Sequence, residues 1–247
     1  MSIPQLKIKT DLSATRLMSE EIADILRENI IFGNINPGEK VNEYQVAKLL
    51  NISRPPIREV FRLLVAEGLI TLVPRKGAFV SKLSSREVKE IYEMKSMMES
   101  FAVRLAIPII DEKELSELDS INDLMEEKIK QNNFKAILKL NIEFHRKIIE
   151  MSKNEKLARF YESIVLPIRR YQRVGLSAPT SLEVSLKEHK GIVQAIKSKN
   201  IILAERLTQE HTISAMDRVI KRINFPLSTS LLKKKKKRKK KEFTLYT

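Results

Sequence analysis

One stretch decides the fold of this 247-residue chain: residues 37–80, which read PGEKVNEYQVAKLLNISRPPIREVFRLLVAEGLITLVPRKGAFV. Asn42 opens an Asn-x-x-Gln capping pattern and predicts the start of a short helix that ends near Asn51. Ser53 is typical of the N-cap of a second helix, whose apolar residues recur at i, i+3, i+4, i+7 and i+8 until Gly68. The stretch therefore predicts two helices joined by a tight turn.

β-like segments follow this helix pair. Residues 69–73 and 78–80 are separated by Pro-Arg-Lys-Gly, which predicts a hairpin. Upstream, residues 19–31 carry apolar side chains at helical spacing and predict a further helix. Three helices with a hairpin after the last one are typical of a winged helix–turn–helix.

Three arginines share one face of the helix that follows Ser53. Its apolar side chains pack inward, so Arg54, Arg58 and Arg62, spaced i, i+4 and i+8, are expected on the exposed face. Arg54 and Arg58 suit base reading, because arginine can bond guanine O6 and N7 bidentately from the start of a recognition helix. Ser53 and the helix N-terminus are expected to approach phosphate.

The hairpin tip adds a second candidate contact with nucleic acid. Arg75 and Lys76 are expected to touch the DNA backbone or the minor groove, and Gly77 to permit close approach. The alternative interpretation is that the arginines form a solvated helix face, with Glu59 pairing with one of them.

The rest of the chain has a different pattern. Ser84 and Glu87 form a capping box, and long helical segments with few glycines continue to residue 223. We therefore expect a mainly α protein with a winged helix–turn–helix domain at residues 1–82, an all-helical bundle at 83–223 and a basic low-complexity tail at 224–247.

Composition limits the classes of function. The chain has no cysteine, which excludes disulfides and thiolate metal sites, and no apolar run long enough for a membrane span. With no signal-type segment at its start, a cytoplasmic location is expected. Nine of the net +15 charges come from residues 233–241, so the body is only mildly basic at +6.

Three histidines form the second candidate site. His145, His189 and His211 each interrupt an apolar helical stripe. A buried imidazole without a hydrogen-bond partner costs about 1 to 3 kcal/mol of stability. One polar site shared by the three histidines is therefore more plausible than three histidines that are buried apart and unpaired. Facing helices of a bundle often hold metals, and imidazole binds zinc, nickel, copper or iron. The alternative is that each histidine is a satisfied core residue or lies at a helix edge.

The N-terminal stretch resembles the DNA-binding domain of GntR-type bacterial transcription regulators. The most specific parts are Ser-Arg-x-Pro-x-Arg-Glu from Ser53, Glu-Gly-Leu from Glu67, and Arg-Lys-Gly from Arg75. The resemblance implies that Arg54 and Arg58 read bases and that Gly77 is the wing glycine. Tyr44 departs from the pattern, because some relatives carry an operator-contacting arginine there.

The C-terminal part resembles the FCD effector domain of the FadR-type branch. The motifs are NIEFHRKIIEMSKNEKL, EHKGIVQAI and LTQEHTISAM. The resemblance implies an all-helical domain that in many members holds a divalent cation with one Asp and three His, and senses small organic acids. Here Asn141 replaces that Asp, giving a ligand set of Asn141, His145, His189 and His211 for zinc, nickel or a similar ion. Lys95 stands where an arginine is frequent, and is expected to contact the effector.

The leading hypothesis is a transcription regulator that binds a double-stranded operator as a homodimer and responds to a small carboxylate, with a divalent metal. A metal-dependent enzyme using the three histidines is the alternative. It lacks an identifiable general base, because Glu143 and Glu188 are expected to face away from the site. A third possibility is sequence-independent nucleic-acid binding by the basic tail alone.

Overall fold

The computed structural model describes residues 16–224, with side chains from Ser19 onward. The basic run at 233–241 lies outside these residues. The N-terminal unit consists of α1 (Arg16–Ile31), β1 (Lys40–Val41), α2 (Glu43–Leu50), α3 (Arg54–Ala66), β2 (Ile70–Val73) and β3 (Gly77–Val80). The winged helix–turn–helix is confirmed.

The turn between α2 and α3 follows from local chemistry, with one difference from expectation. The Asn42 side chain caps α2 by accepting from Tyr44 N and Gln45 N, and Asn51 ends it with a left-handed φ of 55°. Ser53 is at the N-cap position of α3, but within the described chain its hydroxyl makes no capping bond. The amides that it would cap belong to Pro55 and Pro56, which have no N–H.

The wing is an antiparallel sheet of order β1-β3-β2, in which Lys40 pairs with Phe79 and Ile70 with Val80. The sequence pattern did not predict β1, because two residues are too few to show alternation. Gly77 has a φ of 101°, and a Cβ there would lie 3.3 Å from Lys40 Cε. The hairpin therefore needs a glycine at this position.

The remaining helices form the bundle. They are α4 (Ser85–Ala106), α5 (Glu112–Lys130), α6 (Phe134–Met151), α7 (Glu155–Val165), a short 3-10 helix (Leu166–Ile168), α8 (Arg169–Gly175), α9 (Pro179–Lys197) and α10 (Ile201–Asn224). The predicted break near Pro167 is the 3-10 helix. Among residues 16–224, no helix combines the length and apolar character that crossing a membrane requires.

Three apolar clusters hold residues 19–224 together. One lies between α1, α2, α3 and the sheet, and a second fills the bundle. A third places Ile31, at the end of α1, among bundle residues such as Leu138 and Leu176. Glu28 on α1 reinforces this junction, because its carboxylate pairs with Lys135 and Lys139 on α6 at 3.1 and 2.8 Å. The N-terminal unit is therefore docked on α6, the helix that carries His145.

Candidate functional sites: a basic recognition surface and a buried three-histidine centre

The start of α3 presents two arginines to solvent. The buried face of α3 consists of Ile57, Val60, Phe61 and Leu64, so the side chains of Arg54 and Arg58 project outward and are 53% and 57% exposed. Both lie close to one carboxylate: Glu43 Oε2 is 3.6 Å from Arg54 Nη2 and 3.5 Å from Arg58 Nε.

Arg62, one turn further along α3, pairs instead with Glu59 at 2.8 Å. The solvated interpretation of the arginine face therefore fits Arg62.

The wing and the α3 cap supply the other predicted contacts. Arg75, Lys76 and Gly77 are exposed at the β2–β3 turn, and Arg75 has a left-handed φ of 62°. Ser53 is exposed, and its hydroxyl is not used by its own helix, which leaves it available to a phosphate oxygen.

The three histidines meet in the bundle core. His145 on α6, His189 on α9 and His211 on α10 are buried, and one nitrogen from each lies within 4.8 Å of the others. Asn141 and Lys95 are buried and line the same cavity as His145 and His211. The expectation of one shared polar site is met.

Two carboxylates fix the tautomers of two of these imidazoles. Glu99 Oε1 is 2.9 Å from His145 Nδ1, and Glu188 Oε2 is 2.7 Å from His211 Nδ1. A carboxylate accepts, and the Glu99 contact is shorter than the 3.3 Å between Lys95 Nζ and His145 Nδ1, so both carboxylates favour the proton on Nδ1 and leave each Nε2 its lone pair. The two Nε2 atoms face each other at 3.3 Å. Opposed lone pairs at this distance repel unless a cation lies between them.

The expectation that Glu188 faces away from the site is therefore wrong. The packing of α10 against α9 brings His211 to the flank of α9, where Glu188 lies, while the adjacent His189 points into the core. Glu143 is exposed, as expected.

His189 carries the most direct sign of a missing partner. Its ring is fully buried and stacks on Phe144, with centroids 3.8 Å apart and planes 9° from parallel. Neither ring nitrogen has a hydrogen-bond partner among residues 19–224. Because an unpaired buried polar group costs about 1 to 3 kcal/mol of stability, this arrangement favours a ligand that binds the imidazole.

Burial keeps all three rings neutral. It lowers the pKa of His145 to about 4, against the attraction of Glu99, and lowers the pKa of His189 and His211 as well. Neutral imidazoles are the form that binds metals.

Glu99 is the residue that organises the polar core. Lys95 Nζ donates to its Oε2 at 2.7 Å, Tyr161 OH donates to Oε1 at 2.5 Å, and the Thr212 hydroxyl donates at 3.0 Å. Burial alone would raise the pKa of Glu99, but His145 and Lys95 together hold it well below its usual range. The Lys95 charge is therefore already balanced by a carboxylate.

The cavity beside these groups is small, about 20 Å³. That volume holds a water-sized molecule but no organic acid without movement of the walls. A second cation, Arg218, lines it, and both Arg218 Nε and Gln172 Oε1 lack a hydrogen-bond partner within the part of the chain that the structure describes. The other lining residues include Tyr92, Ser185, Ala215 and Val219.

The sequence interpretation missed Arg218, Glu99 and the contact of Glu188. Arg218 follows His211 by two helical turns and so shares its face, and Glu99 follows Lys95 by one turn. Both spacings were visible signals.

Family models match most of the chain. Residues 18–80 match the model described as bacterial regulatory proteins, gntR family, and residues 90–214 match the FCD domain. The chain is 33% identical over 187 residues to the HTH-type transcriptional regulator YdhC of Bacillus subtilis (strain 168), covering 75% of this chain and 84% of that protein. It is 25% identical over 219 residues to the HTH-type transcriptional repressor RspR of Escherichia coli (strain K12), covering 88% and 96%.

Solved structures agree on the fold. The E. coli protein McbR/YncC superposes with a TM-score of 0.74 at 19% identity, covering 83% of this chain and 98% of that chain.

Proposed function

The chain belongs to the gntR family of bacterial regulatory proteins and carries an FCD domain. From this premise we propose that it is a homodimeric regulator, and that a small carboxylate held beside a divalent metal sets its affinity for the operator. Its relatives are DNA-binding transcription regulators, and nothing among them supports the enzyme alternative. One observation carries the proposal: two carboxylate-oriented imidazoles face each other with lone pairs, next to a third imidazole that has no hydrogen-bond partner among the described residues.

The donor set fits a divalent metal. Three neutral imidazoles, from His145, His189 and His211, are typical of zinc or nickel, and Glu99 and Glu188 supply the outer hydrogen bonds that orient metal-binding histidines. Asn141 offers an amide oxygen in place of a carboxylate. When bound, the metal would add positive charge next to the cavity, because no ligand in this set is anionic.

That charge and Arg218 favour an anionic effector. Lys95 is buried against Glu99, so we assign it a secondary role as a fixed positive group at the wall. Arg218 is paired with Glu188 through Nη2 at 3.3 Å, but its Nε has no hydrogen-bond partner among the described residues, so we assign the direct contact to that nitrogen. Gln172 and Ser185 are further hydrogen-bonding groups at the wall. Since the cavity is about 20 Å³, effector entry requires displacement of the α8 or α10 wall.

On DNA, we assign base reading to Arg54 and Arg58, and phosphate contact to Ser53. Arg75, Lys76 and Gly77 would follow the backbone or the minor groove. This division rests on their exposure and on their positions at the recognition helix and wing.

The surface of α4 supports self-association of domain 83–223. Met94, Met97 and Phe101 are 43%, 56% and 44% exposed on one stripe, with Glu90 and Arg104 seven residues to either side of Met97. Two copies of α4 crossing antiparallel at Met97 would cover the apolar residues and bring Glu90 of each copy near Arg104 of the other. Within one copy Glu90 pairs with Arg86 and Arg104 with Glu205, so these exposed pairs would be exchanged or extended. Such a self-complementary patch suits a two-fold dimer.

Phe101→Glu should therefore give monomers in sedimentation velocity. The matched control, Leu124→Glu, changes a residue of α5 that is 45% exposed and should leave the dimer intact. A Phe101→Glu protein that remains dimeric would place the interface elsewhere.

A thermal-shift matrix tests the effector site. The full chain is heated with each of a set of small carboxylates, with Zn²⁺ or Ni²⁺, and with both together. A ligand stabilises by RT ln(1 + [L]/Kd), so a carboxylate that requires the metal should give a larger shift with it than the two separate shifts combined. Independent shifts, or none, would contradict the proposal.

A further inference from the structure

Glu43 is an acidic residue on the surface to which we assign contact with DNA, which is itself an anion. It is the first residue of α2, its side chain is 30% exposed, and it lies beside the exposed Arg54 and Arg58. A carboxylate at this position repels DNA phosphates and weakens binding to every sequence alike. Its presence there calls for a compensating role.

A role limited to stabilising the helix end does not account for its contacts. An acidic residue in the first turn interacts favourably with the helix dipole, but the side chain need not leave its own helix for that. The Asn42 side chain already caps α2 through two backbone amides. The Glu43 carboxylate instead reaches α3, where Oε2 is within ion-pair distance of both guanidinium groups.

We propose that Glu43 is a specificity-determining residue that positions Arg54 and Arg58 for base reading before DNA arrives. The inference rests on the proposed assignment of those two arginines as base readers. An exposed arginine loses substantial rotamer freedom when it is fixed against a base, and holding it near its bound position beforehand reduces that loss.

The contact atoms match this role. Glu43 lies next to Nε of Arg58, 3.5 Å away, so the two terminal nitrogens remain for guanine O6 and N7. At Arg54 it lies next to Nη2, 3.6 Å away; the other N–H of Nη2 and one N–H of Nη1 then remain as the fork at the end of the guanidinium group. One carboxylate between both arginines also favours one separation of the two guanidinium groups, which a two-base reader needs.

The test separates positioning from simple repulsion. Wild-type full-length protein first selects its preferred site from a randomised duplex library. Affinities for that site and for a mixed-sequence duplex are then measured for wild type and Glu43→Gln. Loss of the negative charge should raise affinity for the mixed duplex about two- to threefold, while the ratio of selected to mixed affinity should fall about three- to tenfold.

Glu59→Gln is the matched control. It removes one negative charge from α3 and releases Arg62, which is not assigned to base reading. Its affinity for both duplexes should rise together, with an unchanged ratio. Glu43→Asp keeps the charge but shortens the reach, so it should lower the ratio without raising affinity for the mixed duplex. Thermal melting of each variant confirms that it is folded.

Two results would overturn the inference. A Glu43→Gln protein that gains equally on both duplexes would make Glu43 a repulsive charge only. A lower melting temperature with an unchanged ratio would reduce it to a helix-end stabiliser. If the wild type selects no sequence, the base-reading assignment itself fails, and that outcome is distinguishable because it appears before any variant is tested.

Discussion

In the recognition surface and in the histidine centre alike, a carboxylate lies between positively charged or imidazole groups. The carboxylate of the surface is partly exposed to solvent, and that of the centre is buried. Glu43 holds two arginines at 3.5 and 3.6 Å with all three side chains at least 30% exposed, whereas Glu99 holds Lys95 and His145 at 2.7 and 2.9 Å in complete burial. In water an ion pair contributes little to stability and leaves its members free to exchange partners. In the core the same pairing fixes one arrangement, because any unpaired member is costly.

The difference matches the two tasks. In the proposed function, Arg54 and Arg58 exchange Glu43 for acceptors on DNA, so weak and solvated contacts suit the surface. In the same proposal the core keeps imidazole lone pairs aimed at one point before the metal binds, so strong and buried contacts suit it. The Glu28 junction lies between these extremes in exposure, and it joins α1 to α6, the helix that carries Asn141 and His145.

The largest expected effect comes from breaking the buried pair. Glu99→Gln leaves the Lys95 ammonium buried without a carboxylate, and should cost about 3 to 5 kcal/mol of unfolding free energy in the metal-free protein. Chemical denaturation in the presence of a chelator measures it. The control is Lys95→Met combined with Glu99→Gln, which removes both charges and should recover much of the loss. If the single and the double variant lost the same unfolding free energy, the Lys95–Glu99 pair would not be the source of the loss.

The sequence predicted the two regions unequally, for physical reasons. The histidine cluster was predictable because each imidazole interrupts an apolar stripe, and bundle helices bury their stripes together. Glu99 was missed because Lys95 and Glu99, spaced i, i+4, look like an ordinary exposed ion pair. Which face of α9 meets α10 is a tertiary fact, and it decides that Glu188 reaches His211.

In the N-terminal unit, local signals were sufficient for the helices and the hairpin, since caps, prolines and glycines act over a few residues. They were insufficient for β1 and for Glu43, because both depend on pairing with a distant segment.

Arg58→Ala tests the surface side of the comparison. It should cost about 1 to 3 kcal/mol at one base position per half-site and relax specificity there, whereas Lys76→Ala should weaken binding to all sequences evenly. Competition titrations over single-base variants of the selected operator measure both. Equal losses on every variant for Arg58→Ala would make Arg58 a phosphate contact.

Asn141→Asp tests the core side. A metal held by three neutral imidazoles and an amide keeps its full +2 charge, so metal and carboxylate effector should bind with positive and reciprocal coupling. A permanent carboxylate should raise metal affinity without effector by about tenfold, or ~1.4 kcal/mol, and reduce the coupling. Calorimetric titration of metal into the metal-free protein, with and without the carboxylate identified by thermal shift, measures both quantities. Equal metal affinities under the two conditions in the wild type would refute the coupling.

The smallest expected effect is at the junction between the regions. Hydrogen bonds from Lys139 and Lys135 lower the pKa of Glu28, although partial burial opposes them. The contribution of Glu28 to stability is therefore present above the pKa of this residue in the unfolded chain, and it is lost as the pH falls through the pKa in the folded protein. With a side chain 48% exposed, the contribution is screened by solvent and should stay below about 1 kcal/mol. Glu28→Gln should therefore lower the unfolding free energy slightly at pH 7, and the difference from wild type should vanish in acid. Glu155→Gln, which removes the exposed pair with Arg159 on α7 and touches no junction, is the control.

The informative measurement is the change in operator affinity that the effector causes. If Glu28 couples the two regions, Glu28→Gln should reduce that change, while Glu155→Gln should leave it unchanged. Equal changes in both variants would confine Glu28 to a role in stability.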